Sequence, residues 1–105
     1  MNRYIPDEII DQIRTQTDIV EIVGQFVELR RRGRNWLGLC PFHHERTPSF
    51  TVSLDKGFYK CFGCGKAGDV YTFLMEHQKF DFSQAVGFLA ERLGIVIPRG
   101  QYDQK

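Results

Sequence analysis

The stretch CPFHHERTPSF, residues 40–50, sets a cysteine and two adjacent histidines beside a proline, with no apolar period to account for them. A second cluster, YKCFGCGKAGD, follows at residues 59–69. Cys40 and His43 form one pair and Cys61 and Cys64 another, each with two residues between, and 17 residues separate the pairs. A two-residue gap lets both side chains of a tight turn converge on one cation at roughly 2.0–2.3 Å, and two such turns complete a tetrahedron. The intervening SFTVSLDKGFYK is long enough for a hairpin that brings the turns together. Thiolates with one imidazole select Zn²⁺ over Mg²⁺ or Ca²⁺. Four protein ligands leave no open position, so one structural ion is the expectation. His44, at a gap of three, is an alternative to His43. Cys61-Phe-Gly-Cys64 alone could be a redox dithiol, although it opens no βαβ unit and has a second pair in range. Gly63 and Gly65 are expected to take φ > 0 and to aim backbone amides at the sulfurs.

Around this centre the chain reads as one small α+β domain. Its 105 residues allow a modest core, and 42% hydrophobic with 26% charged residues mark it as globular. No apolar run is long enough to span a bilayer, and MNRYIPDEII lacks the apolar centre of a signal peptide. The expected compartment is the cytoplasm, with no membrane partner, and three reduced cysteines suit a metal better than a disulfide framework.

Before the clusters, Pro6-Asp7-Glu8 suits a first helical turn, with Ile9, Ile10 and Ile13 as its apolar stripe. Asp18 and Glu21 have the form of a capping box opening a second helix that ends near Gly24. FVELRRR, NWLGLC, SFTVSL and GFYKC then read as short strands, with Asp55-Lys56-Gly57 as a hairpin signal. Phe50, Val52 and Leu54 alternate with Thr51 and Ser53, the period of a half-buried strand. An antiparallel sheet of three to five strands is expected. Two helices follow: GDVYTFLMEHQK, with Val70, Phe73 and Leu74 on one face, and a segment capped by Asp81 and Gln84, with Ala85, Val86, Leu89 and Leu93 inward and Gly94 at its end. His77 is expected to be partly exposed and without a role. Residues 1–97 make the domain, and 98–105, a polar tail, read as the start of a linker, so that the chain is expected to be one module of something longer.

The net charge of +1 is unevenly spread. Residues 1–29 sum to −4, residues 30–66 to +6 and residues 67–105 to −1, so the positive charge sits with the cysteines. There basic residues alternate with aromatics, as in Arg34 before Trp36 and Lys60 before Phe62. In FYKC, Phe58 and Lys60 share one strand face and Tyr59 takes the other. Such a face can track a phosphate backbone and stack unpaired bases. Arg34, Lys56 and Lys60 are expected to contact nucleic acid, whereas Trp36, Phe50 and Phe62 are expected in the core.

GRNWLGLCPFHHERTPSFTV followed by FYKCFGCGKAGDVYTFL closely resembles the N-terminal zinc-binding domain of bacterial DNA primases. The likeness runs from the helices before Phe26 to about Leu93. It implies a zinc ribbon, a small antiparallel sheet flanked by N- and C-terminal helices, with Cys40, His43, Cys61 and Cys64 as ligands. It also implies recognition of initiation sites on single-stranded template DNA, in support of RNA primer synthesis during replication. DNA-contacting positions would fall on Arg34, Arg46, Lys56 and Lys60, with Pro48, Phe58 and Asp69 nearby. Polymerisation would belong to a separate domain with a Mg²⁺-binding carboxylate cluster, and this chain alone would have no activity. The partners implied are that polymerase domain, of the same or a neighbouring molecule, and a replicative helicase reached through the full-length protein. The alternative is a zinc ribbon whose sheet docks a polymerase domain or helicase.

Overall fold

The computed structural model describes residues 5–97. The expected linker at 98–105 lies outside the described residues. Helix α1, Asp7–Gln16, starts after Pro6, with Asp7 and Glu8 in its first turn and Arg14 in its last, the charge order that suits the helix dipole. Asp18 caps α2, Ile19–Gly24, by accepting from Glu21 N at 3.0 Å. Ile13, Ile19, Ile22 and Val23 are buried.

Five strands follow as an antiparallel meander: β1 Arg30–Arg32, β2 Asn35–Gly38, β3 Phe50–Ser53, β4 Phe58–Cys61 and β5 Ala67–Asp69. All four expected strands are shorter than the sequence suggests. Phe26 and Val27 do not join β1, because their amides bond back to Val23 O and continue the turn leaving α2. The expected strand NWLGLC stops at Gly38, where a Cβ would lie 2.5 Å from Glu28 O, so the crossing chain closes that end. Leu54 falls beyond the end of β3 and is exposed. The Asp55-Lys56-Gly57 turn forms as expected, with Gly57 at φ 71° and its amide on Ser53 O.

Strand register sorts the side chains. Trp36 pairs with Val52 and Val52 with Tyr59, while Gly38 pairs with Phe50 and Phe50 with Cys61, so these residues share the inner face. The other face carries two rows: Arg30, Leu37, Thr51, Lys60 and Ala67, then Arg32, Asn35, Ser53, Phe58 and Asp69. Helices α3, Val70–His77, and α4, Phe82–Leu93, complete the fold. Gly68 lets α3 start hard against β5, since a Cβ there would lie 2.5 Å from Thr72 Cβ. Asp81 and Gln84 form the full capping box of α4, and Gly94 closes it at φ 73°. Phe50, Tyr59 and Phe73 are fully buried in an aromatic core that Phe42 joins from the Cys40–His43 turn. His77 is partly exposed, as expected, but it is not idle: its ring stacks on Phe73 at 5.1 Å, and partial burial lowers its pKa.

Candidate metal centre

The sheet's geometry brings the two cysteine turns to one end. Gly38, Phe50 and Cys61 lie in register across β2, β3 and β4, so Cys40, just past β2, and the turn after β4 meet there. Ligand atoms of Cys40, His43, Cys61 and Cys64 all lie within 4.8 Å of one another. Metal–sulfur bonds of about 2.3 Å make a tetrahedral edge of about 3.8 Å. Cys40 Sγ and Cys64 Sγ are 3.9 Å apart, and Cys61 Sγ and His43 Nδ1 are also 3.9 Å apart. The donor set therefore fits zinc in both chemistry and span. His44 is exposed and outside the group.

Each turn presents an amide to its first sulfur: Phe42 N to Cys40 Sγ and Gly63 N to Cys61 Sγ, both at 3.3 Å. Gly65 has the expected positive φ, 85°, but Gly63 does not. The reason for glycine at 63 is space, because a Cβ would lie 2.9 Å from Ser49 Oγ and 3.0 Å from His43 Nε2. Burial, reinforced by the neighbouring thiols, pushes Cys40 up to about 12. At Cys61 burial opposes ionisation, but hydrogen bonds from the Ser49 hydroxyl and the amides of Cys64 and Gly63 bring it down to about 7. A buried thiol at Cys40 ionises readily only with a cation beside it, which is what zinc coordination supplies.

Residues 5–105 match the CHC2 zinc finger family. The chain belongs to that family. It is 51% identical over 98 residues to the DNA primase of Halalkalibacterium halodurans, covering 93% of this chain and 16% of that protein. It is 55% identical over 93 residues to the DNA primase of Clostridium acetobutylicum, covering 89% of this chain and 16% of that protein. The solved structure of the zinc-binding and RNA polymerase domains of Aquifex aeolicus primase matches with a TM-score of 0.79 at 33% identity, over 100% of this chain and 24% of that one. This CHC2 chain is thus a zinc-binding domain of the primase type, spanning 16% of the length of each of these two curated relatives.

Of the residues expected at nucleic acid, Lys56, Phe58 and Lys60 come together on the outer sheet face. They line a shallow groove of about 310 Å³ with Arg32, Asn35, Leu37, Thr51, Ser53 and Phe62. Lys56 Nζ lies 6.0 Å from the Phe58 ring centre and Lys60 Nζ 5.3 Å from that of Phe62. Phe62, expected in the core, is 69% exposed, because the turn after Cys61 carries its ring away from the inner face while its amide bonds Ser49 O. Trp36 is half-buried and packs against the core from the inner sheet face. Arg34 stands elsewhere, at the β1–β2 turn, 4.0 Å from Asp55 and beside Arg31 and Trp36. Arg46 and Pro48 are exposed in the loop before β3, and Pro48 lines a separate apolar hollow. Asp69 is engaged within the fold: it caps α3 through Thr72 N and pairs with Arg14 at 3.2 Å.

Glu45 is the residue that sequence reasoning passed over. Its carboxylate accepts from Cys40 N at 2.8 Å, from Ser49 N at 3.1 Å and from the Ser49 hydroxyl, and lies 3.2 Å from His43 Nε2. That last contact keeps the imidazole proton on Nε2 and the Nδ1 lone pair toward the sulfurs. The Ser49 hydroxyl and the Cys40 amide hold Glu45 below its ordinary pKa. The available signal was a lone acid two residues after the His43 position in a basic segment. Replacing Glu45 with alanine should lower zinc affinity roughly 10–100-fold. Competition with a chromophoric chelator measures this, and wild-type affinity in the variant would remove Glu45 from the support of His43.

Proposed function

We propose that Cys40, His43, Cys61 and Cys64 hold one structural zinc ion, and that the sheet it steadies binds single-stranded template DNA at primer initiation sites. The ion's contribution is cross-linking: it ties the end of β2 to the β4–β5 turn and needs no open coordination position. The observation that carries the reading is the outer sheet face. Arg32, Lys56 and Lys60 line a groove there with the exposed rings of Phe58 and Phe62, and Arg30 lies in the same row as Lys60. Cations grip phosphates without regard to sequence, and rings stack on unpaired bases. Arg34 and Arg46 extend the positive field around the sheet's rim, while Pro48 and Asp69 act through loop and helix geometry.

RNA primer synthesis itself is assigned to a polymerase domain of the same or a neighbouring molecule, with Mg²⁺ serving that domain. The only metal-ligating cluster among the described residues is the Cys/His group. Association with a replicative helicase would run through the full-length protein, and the setting is the cytoplasm. None of the described helices is long and apolar enough to cross a membrane. A second reading, docking onto the polymerase domain, is favoured by the largely apolar hollow of about 410 Å³ that Phe26, Val27, Leu37, Leu39, Pro41 and Pro48 line together with Gly38 and the charged Glu28 and Arg30.

Binding of labelled single-stranded oligonucleotides across a salt series tests the main reading. Lys60→Ala should weaken every sequence similarly and reduce the salt slope by about 0.7, the value for one phosphate contact on a single strand. An unchanged slope would take Lys60 off the contact surface. Absence of binding at low salt would leave docking as the better account.

A further inference from the structure

Within both rows of the outer face the charged residues lie on β1, β4 and β5, and the neutral hydrogen-bonding groups on β2 and β3. Arg32, Lys56, Phe58, Lys60 and Phe62 stand around the groove, while Asn35, Thr51 and Ser53 come from its floor on β2 and β3. Ser53 is buried and accepts from Lys56 N at 3.1 Å, which commits it to the turn. The Asn35 amide and the Thr51 hydroxyl make no such bond among the described residues, and both reach solvent. Asn35 pairs with Ser53, and Thr51 lies two residues along the same strand, so the two polar groups stand in diagonal positions. That diagonal is about 7–8 Å. It exceeds the 3.4 Å rise between stacked bases of one strand, which suits two bases held by neighbouring contacts rather than one.

Resting on the reading of this face as a single-strand surface, we propose that Asn35 and Thr51 are its specificity-determining residues. A carboxamide offers a donor and an acceptor side by side, the pair that matches an adenine edge, and a threonine hydroxyl can serve either role. Unpaired bases expose their Watson–Crick as well as Hoogsteen edges, so both groups can read a base that the phenylalanines hold flat. The lysines and arginines supply affinity, and these two side chains supply the choice of base.

The test uses the zinc-loaded chain and short labelled oligonucleotides in which one base is varied at a time. Wild type, Asn35→Ala, Thr51→Val and Lys60→Ala are compared, with zinc content and amide shift dispersion confirming that each is folded. The expected result is that Asn35→Ala and Thr51→Val each compress the spread of affinities among sequences by about tenfold, with the salt slope unchanged. Lys60→Ala should preserve the ranking and lower the slope. If wild type binds but without preference, or the two variants keep its ranking, or they weaken all sequences equally, the assignment of specificity is overturned while strand binding stands. If wild type binds no strand, both fall.

Discussion

Removing zinc from this domain is expected to dissolve the order of the sheet while the helices keep part of theirs. A bound structural zinc contributes apparent folding energy of about 10–16 kcal/mol in small metal-dependent domains. That matches or exceeds the total stability of a typical domain, about 5–15 kcal/mol. The strands here have three or four residues each, too short to hold one another without help at their ends. Without the ion, Cys40, Cys61 and Cys64 are three thiols crowded at one end of the sheet, with burial resisting ionisation at Cys40. Helices α1 and α4 pack on each other, and α3 on α4, so apolar contacts remain there. Amide shift dispersion after complete chelation measures the outcome. The resonances of residues 35–69 should collapse toward random-coil values and return on adding zinc. A sheet equally ordered in the apo protein would mean that the aromatic core, and not the metal, shapes the outer face.

Truncating Phe73 should be the most damaging single change away from the ligands. Its ring is fully buried and meets Tyr59 edge-on at 5.7 Å, Phe42 at 6.0 Å and Phe26 at 6.1 Å. It is therefore the point where α3, the inner sheet face, the segment after α2 and the Cys40–His43 turn come together. Phe73→Ala should cost about 3–5 kcal/mol, the transfer of a large ring plus the cavity it leaves. Urea unfolding at saturating zinc gives the value, and Phe73→Leu should recover a good part of it. A loss below about 1 kcal/mol would mean that α3 is held by its cap at Asp69 and by Tyr71, whose hydroxyl donates to Ile10 O at 2.8 Å.

The features legible in the sequence are those whose cause lies within a few residues. The two ligand pairs needed only their internal gaps, since a tight turn aims both side chains one way whatever surrounds it. Asp18 and Asp81 cap their helices through the third amide onward, and Gly57 and Gly94 take the positive φ their turns demand. Strand β5 was missed because AGD has neither branched nor aromatic side chains. It is a strand only because Ala67, Gly68 and Asp69 pair with Lys60, Tyr59 and Phe58. Glu45 was missed for a related reason: a carboxylate announces nothing until the amides and imidazole it serves arrive from the folded loop.

The sequence alone was enough to determine a small antiparallel sheet flanked by helices, with two Cys/His pairs fit for zinc, and that positive charge travels with them. Which rings and cations share a surface was decided only by tertiary structure. In strands of three or four residues, the face a side chain occupies depends on register with its neighbours, and one step of register exchanges inside for outside. Register set Lys60 and Phe58 beside Asn35 and Thr51 on the open face, while the turn after Cys61 carried Phe62 out to join them and the β1–β2 turn left Arg34 apart.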